Sequence, residues 1–538
     1  VPQAPWLPSS CSFLGLPECF HLLLEELDGG GPIPVGLCGE SIGGSAVTTV
    51  IQVLTSIPSL PQIQAQVLIY PLVNFVNVQL PPHQQSKNVT FLTRLCKYLA
   101  TDLSWKDAML TGALVPPDKI TAPGGHWSTR VMAVLWLLLL AGLPTFLLGV
   151  FVWVVIQNFP TSKFPSTLKH PAKLWFMHCF VQYLISLGKI LENLRICALP
   201  SFLQCAQSLL PLKKDPNVLV MDMYFGAVPV RFLKPKELFP KLRRAIIFYH
   251  GGGAIFGSLD CYHGLCSFLA RESDSAVLMV GYRKLPGYHH PIIFNDCLNA
   301  TIYFLKNLES FGVDPSRVVL CGESIGGSTV ATVMQVLTSI PSLPQIRAQV
   351  LIYPLVNSVN FQLPSHQQSK NVPFLTRDML FMFMCKYLAI DLSWKDAMLA
   401  GAIIPLDKWK KYKKWLSYDN ISRRFWSQDI QLESFGPFDE AAYLETQHVW
   451  SVEISPVLAD DKIISQFPQT LLVSCENDIL RDDALLYKKR LEDQGVPVTW
   501  CHVEDGFHGC TILFDKKCLS FPCSRKVVNA VIGYIKGI

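Results

Sequence analysis

The chain has 538 residues, half of them hydrophobic and only 16% charged, with a net charge of +5 and a mean hydropathy of +0.30. That length accommodates one large domain with additions, or two to three domains. The apolar balance points to a membrane segment or an exposed apolar surface, and no basic stripe with interleaved aromatics suits a nucleic-acid groove, which excludes that class of partner.

Taken from the N-terminus, the first feature is an internal repeat. Leu37-Cys38-Gly39-Glu40-Ser41-Ile42-Gly43-Gly44 reappears as Leu320-Cys321-Gly322-Glu323-Ser324-Ile325-Gly326-Gly327. Val53–Ile63 and Val336–Ile346 share VLTSIPSLPQI, and both copies continue into AQVLIYPLVN and DLSWKDAML. With two copies only, this is no solenoid; it reads as a partial duplicate of one enzyme placed ahead of a complete copy. Upstream of Ser41 nothing supplies an HGGG, and no strand-borne acid and histidine follow it before the apolar run. Without a base or anion-stabilising donors that serine is an ordinary hydroxyl, and a partial sheet buries too little surface to offset its ordering entropy. Residues 1–125 are therefore expected to be catalytically inert and poorly packed.

The run from Val131 to Ile156 carries no charged residue. It is long enough to cross a hydrocarbon core of about 30 Å as a helix, and longer than the apolar core of about 7–15 residues in a cleaved signal peptide. A transmembrane anchor is expected at 131–156, with a catalytic domain over 160–538. Lysines and an arginine on both sides leave the orientation open, and the sequons Asn299-Ala300-Thr301 and Asn420-Ile421-Ser422 permit a luminal domain.

After residue 215 short apolar runs alternate with helical segments. The runs Arg243–Tyr249, Ala276–Tyr282, Arg317–Cys321, Ala348–Ile352, Thr470–Ser474 and Val498–His502 are each bounded by turn residues. Near-continuous apolar strands between helices predict a mostly parallel sheet covered on both faces. The stretches Phe176–Ile196 and Met379–Met384 suit either a cap over an acyl pocket or ordinary core helices.

Gly322-Glu323-Ser324-Ile325-Gly326 fits G-x-S-x-G, which places Ser324 on a sharp strand-to-helix turn where glycines allow close backbone approach. His250-Gly251-Gly252-Gly253 follows the Arg243–Tyr249 run. Acyl transfer requires donors for the oxyanion, and backbone N–H groups of Gly251, Gly252 and Ile325 provide them without reorganising. An acid and a base must follow the nucleophile in chain order. Asp478 comes just after the Thr470–Ser474 run, and His508 lies in a glycine-flanked loop after the last run. Glu476, Asp482 and Asp483 are rivals for the acid, solvated or paired with Lys488 and Lys489; His502 is the rival base but belongs to the strand itself. The expected catalytic set is Ser324, Asp478 and His508, with no metal and no organic cofactor.

Together YHGGGAIFGSLDCYH, GYRKLPGYHH, CGESIGG, ENDILRDD and EDGFHG resemble the hormone-sensitive-lipase branch of the α/β-hydrolases, and within it the arylacetamide deacetylase-like proteins. The resemblance covers residues 132–538 and implies an α/β-hydrolase fold with a helical cap. It also implies a single-pass type II anchor, a catalytic domain in the endoplasmic-reticulum lumen, and a start at Met132 with the first 131 residues fused from a tandem copy. The implied activity is hydrolysis of carboxylic esters, or arylamides, of small neutral lipophilic substrates. Two departures stand out: Glu323 and Ile325 replace the usual Asp and Ala of GDSAGG, and residues 281–291 lack the acidic residues of DYRLAPEHHFP. Bulky Ile325 beside the oxyanion donors keeps a second reading open, a non-catalytic ligand binder on the same fold.

Overall fold

The computed structural model describes residues 36–40, 65–69, 141–159, 165–212, 214–236, 242–426, 435–516 and 519–538. The chain divides into two units, Val1–Lys106 and Asp107–Ile538.

In the first unit, β1 (Gly36–Glu40) and β2 (Ala65–Ile69) pair in parallel, from Gly36 opposite Ala65 to Glu40 opposite Ile69. The same five-step register recurs in the second unit, where Val319 faces Ala348 and Glu323 faces Ile352. The repeated sequence thus forms the same local pairing twice. Ser41 and the rest of the expected 1–125 duplicate lie outside the described residues.

The second unit opens with three helices, α1 (Leu143–Asn158), α2 (Pro171–Asn193) and α3 (Leu199–Ser208). α1 is the described part of the apolar run expected to be an anchor; residues 131–140 lie outside the description. It exposes Leu143, Phe146, Leu148, Trp153 and Ile156. Among the described residues, the one helix with the length and apolarity to cross a membrane is α2, of which a third is buried. α2 packs on the domain: the Gln182 amide donates to the Met379 sulfur, and Lys386 pairs with Glu192. These contacts place the Phe176–Ile196 stretch against the Met379–Met384 segment.

The main sheet has eight strands: β3 (Val218–Phe225), β4 (Val228–Pro235), β5 (Arg243–Tyr249), β6 (Ser275–Val280), β7 (Val313–Glu323), β8 (Ala348–Ile352), β9 (Gln469–Asn477) and β10 (Val498–Phe507). Their order is β10-β9-β8-β7-β5-β6-β4-β3. The six expected strands are all present and pair in parallel wherever they are neighbours. The edge hairpin β3–β4 was absent from the sequence reading, and it is antiparallel. Gly226 takes a φ of +61° in its two-residue connection, a conformation that costs glycine nothing.

Every residue of β5 and β6 is buried. Alternate residues serve opposite faces: Ala245, Ile247 and Tyr249 join one apolar core, Ile246 and Phe248 the other. Helices α4 (His263–Ser273), α5 (Ile292–Lys306) and α6 (Ile325–Leu337) connect the early strands. Between β8 and β9 lies a long excursion with no strand among its described residues; it includes α7 (Arg377–Leu388) and the lysine-rich α8 (Leu406–Leu416). After β9 come α9 (Arg481–Glu492) and, following β10, α10 (Pro522–Gly537). Six parallel strands therefore end at one rim of the sheet, and that rim carries the chemistry.

Candidate active site

The turn from β7 into α6 is built by its glycines. Ser324 has φ +54° and ψ −121°, outside the regions an ordinary side chain prefers, and α6 begins at the next residue. Its N–H donates to the Ile352 carbonyl at 2.9 Å, which ties the bend to β8. A Cβ on Gly322 would lie 2.2 Å from the Gly326 carbonyl oxygen, and one on Gly326 would lie 2.2 Å from the Tyr249 carbonyl oxygen. No side chain can yield there, because both obstacles are backbone. We expect Gly326→Ala to drive β5 and α6 apart and reduce the yield of folded, protease-resistant protein at 37 °C. Parent-like yield and melting temperature would refute this account of the turn.

Ser324 Oγ lies 2.8 Å from His508 Nε2, and His508 Nδ1 lies 2.9 Å from Asp478 Oδ2. A carboxylate can only accept, so Nδ1–H donates to Asp478, and Nε2 is left as the acceptor for the serine hydroxyl. Asp478 is 1% exposed, and its Oδ1 accepts the Leu480 N–H at 2.8 Å, which fixes the carboxylate plane. The serine follows β7, the aspartate follows β9 and the histidine follows β10, so three strand ends deliver the three groups.

The rivals are occupied elsewhere. Asp482 and Asp483 are wholly buried: Asp482 accepts from the Ser365 N–H at 2.7 Å and from Arg481, while Asp483 pairs with His366 at 2.8 Å. Glu476 pairs with Arg481 and His502. The expectation that these acids are solvated or paired with Lys488 and Lys489 is corrected, since those lysines bind Glu492 and Asp493. Long sequence separation concealed this, because the partners Ser365 and His366 lie more than a hundred residues upstream.

The glycine loop after β5 runs beside the elbow. Gly252 and Gly253 both have positive φ, at +116° and +58°, and a Cβ on Gly251 would meet the Glu323 carbonyl oxygen at 3.1 Å. Ile325, half-buried, opens α6 directly after the serine. Phe383 of α7 covers this loop: a Cβ on Gly253 would meet its ring at 2.8 Å, and its centroid is 5.9 Å from that of Phe256. All six residues of Met379–Met384 are buried.

Two supports escaped the sequence reading. Tyr282 O–H donates to the His250 carbonyl at 2.7 Å and stacks on its ring at 4.1 Å, steadying the start of the glycine loop. Arg283 donates to the buried Asp296 through its backbone and its guanidinium, so the segment without acidic residues of its own borrows one from α5. Burial holds the His250 imidazole down at about 3. The unfolded residue takes up a proton near pH 6.5 while the folded one refuses it, so this contribution is complete above 6.5 and is lost as pH falls towards 3, by about 1.4 kcal/mol per unit. We expect the melting temperature to fall below pH 6.5, and to fall less steeply in His250→Asn; parallel profiles from pH 6.5 to 4.5 would exclude His250 as the cause.

A family model described as alpha/beta hydrolase fold matches residues 246–414 and 403–512. The chain is 60% identical over 407 residues to arylacetamide deacetylase-like 4 of Homo sapiens, spanning 76% of this chain and 100% of that protein. It is 49% identical to arylacetamide deacetylase-like 3 of Homo sapiens, over 75% of this chain and 99% of the relative. Against arylacetamide deacetylase of Bos taurus the identity is 34%, over 70% and 96%. Among solved structures, carboxyl esterase 2 of Tuber melanosporum aligns with a TM-score of 0.46 at 22% identity, over 61% of this chain and 89% of that one. A thermostable esterase of Pseudomonas putida aligns at 0.48 and 20%, over 66% and 96%. With 60% identity across the whole of one relative and a hydrolase family model over the sheet and its rim, the chain belongs to the arylacetamide deacetylase-like family of α/β-hydrolases.

Proposed function

We propose that the chain is a serine carboxylesterase acting on neutral, lipophilic esters through an acyl-Ser324 intermediate, with Ser324, His508 and Asp478 as the triad and Gly251, Gly252 and Ile325 as oxyanion donors. The observation that carries this reading is the continuous hydrogen-bond chain from the serine hydroxyl through the imidazole to a buried carboxylate, at a strained turn beside a glycine loop. In acylation, Ser324 Oγ attacks the ester carbonyl while its proton passes to His508 Nε2. The carbonyl electrons move onto oxygen, where the loop N–H groups receive them. Collapse expels the alcohol, which takes the proton from His508; water then repeats the sequence on the acyl-serine and releases the acid. Asp478 holds the ring in the required tautomer and stabilises its transient positive charge.

The apolar surroundings support the lipophilic substrate class. Phe383 and Phe256 give the glycine loop an apolar wall, which favours an uncharged acyl group. Esters are the primary substrates, and arylamides are a secondary class suggested by the names of the relatives. The apolar run at 131–156 serves as a single-pass signal anchor, with the catalytic unit in the lumen of the endoplasmic reticulum. The duplicated segment 1–125 takes no part in the reaction. The test is a fluorophosphonate probe applied to the full chain in membranes, with the adduct located by peptide mass spectrometry. An adduct on Ser324 that is blocked by a lipophilic ester supports the assignment; a folded chain that takes up no probe refutes it and leaves the ligand binder.

A further inference from the structure

The residue before the nucleophile has no part in the mechanism above, yet its surroundings are unusual. Glu323 ends β7, and only 1% of it is exposed. Its Oε1 accepts the Tyr353 O–H at 2.9 Å. The same tyrosine oxygen lies 2.6 Å from Thr511 Oγ1 and accepts the Thr511 N–H at 3.3 Å. Thr511 is three residues past His508, and the Tyr353 ring centroid is 5.0 Å from that of His508. Tyr353 is itself fixed, since it follows β8 at φ +34° and its N–H donates to the Val473 carbonyl at 2.8 Å. On its other side the Glu323 carboxyl reaches the oxyanion loop: a Cβ on Gly251 would lie 3.4 Å from Glu323 Cδ and 3.1 Å from the Tyr262 hydroxyl.

We propose that Glu323 is a positioning residue whose carboxyl, through Tyr353 and Thr511, braces the His508 loop against the elbow and so keeps Nε2 on the Ser324 hydroxyl. The proposal rests on the esterase reading and extends it. The triad's nucleophile and base stand at the ends of β7 and β10, which β8 and β9 separate in the sheet; something must hold the two in register. The Glu323–Tyr353–Thr511 chain connects them through side chains without passing through the reacting atoms. Burial raises the Glu323 carboxyl above its usual range, against the opposing pull of its hydrogen bonds to Thr511, Tyr262 and Tyr353.

The brace works by reach rather than by charge, and variants separate the two. Glu323→Asp withdraws the acceptor by one methylene, and Tyr353→Phe deletes the bridging hydroxyl while keeping the ring. Each is expected to lower kcat for a p-nitrophenyl ester about tenfold or more with KM changed less than about twofold, because a misaligned base penalises the reaction and not the binding. The double variant is expected to be no worse than the poorer single one, as both break one connection. Glu323→Gln keeps the length and the acceptor and is expected to recover most of the loss. An active parent whose Glu323→Asp and Tyr353→Phe variants keep its kcat overturns the brace alone. So does Glu323→Gln as impaired as Glu323→Asp, or losses that multiply in the double variant. A parent that neither hydrolyses the ester nor takes up fluorophosphonate overturns the esterase reading and the brace with it.

Discussion

Ser324→Ala lowers kcat on a p-nitrophenyl ester by about 10⁵-fold or more, and abolishes fluorophosphonate labelling, with the melting temperature close to that of the parent. The size follows from the arrangement: once the nucleophile is gone, His508 and Asp478 have nothing to activate, and only oxyanion stabilisation and binding persist. The fold is spared because Oγ makes no contact that β7 or α6 needs; the bend is held by the Ser324 N–H on the Ile352 carbonyl and by the glycines, which the variant keeps. Alanine does share the positive φ of position 324, a backbone cost that the parent already bears. The measurement is a burst-corrected steady-state rate with a parallel thermal melt. A residual rate within tenfold of the parent would place the nucleophile elsewhere.

Asp478→Asn is expected to reduce kcat by about 10⁴-fold, the loss that follows when the base is held in the wrong tautomer. An asparagine amide at that site offers His508 Nδ1 a donor, so the ring takes the form with its proton on Nε2, pointing at a hydroxyl it must deprotonate. The neighbouring acids provide the contrast. Removing Asp482 or Asp483 strips a buried partner from Arg481 or His366, which costs about 3–5 kcal/mol of stability. Those variants should therefore lower the melting temperature sharply, while the protein that remains folded labels with the probe at a parent-like rate. Asp478→Asn should show the reverse pattern. If Asp483→Asn removed labelling from folded protein and Asp478→Asn did not, the acid would be reassigned.

Among the six parallel strands, β5, β6 and β8 were legible because they are buried on both faces, which forces apolar runs such as AIIFY, whereas β10 at the sheet edge is only partly buried. The β3–β4 hairpin was not legible, because it lies at the sheet edge and half of its face meets solvent. VLVMDMYF buries only its two end residues, and its central Asp222 pairs across to Arg231. Ser324, Asp478 and His508 could be read in sequence because each stands at a strand end in the required chain order. Their supports could not: Tyr353, Thr511, Tyr282 and Asp296 carry ordinary residue types, and only folding brings Tyr353 and Thr511, 158 positions apart, within hydrogen-bond reach. The apolar helices pose the opposite difficulty. Hydropathy marks both 131–156 and the α2 region, and only packing distinguishes a helix that grips Met379 and Phe374 from one that shows its leucines to its surroundings.

The excursion between β8 and β9 has a consequence for how such an enzyme diversifies. It leaves the sheet after Ile352 and returns at Gln469, on strands already clamped to each other from Ala348 opposite Gln469 to Ile352 opposite Val473. Nucleophile, base and acid all belong to segments outside it. The hundred-odd intervening residues form an exchangeable cassette: transplanting that of a relative, with Tyr353, Ser365 and His366 kept, should import that relative's taste in acyl groups while the host's reaction machinery runs unaltered.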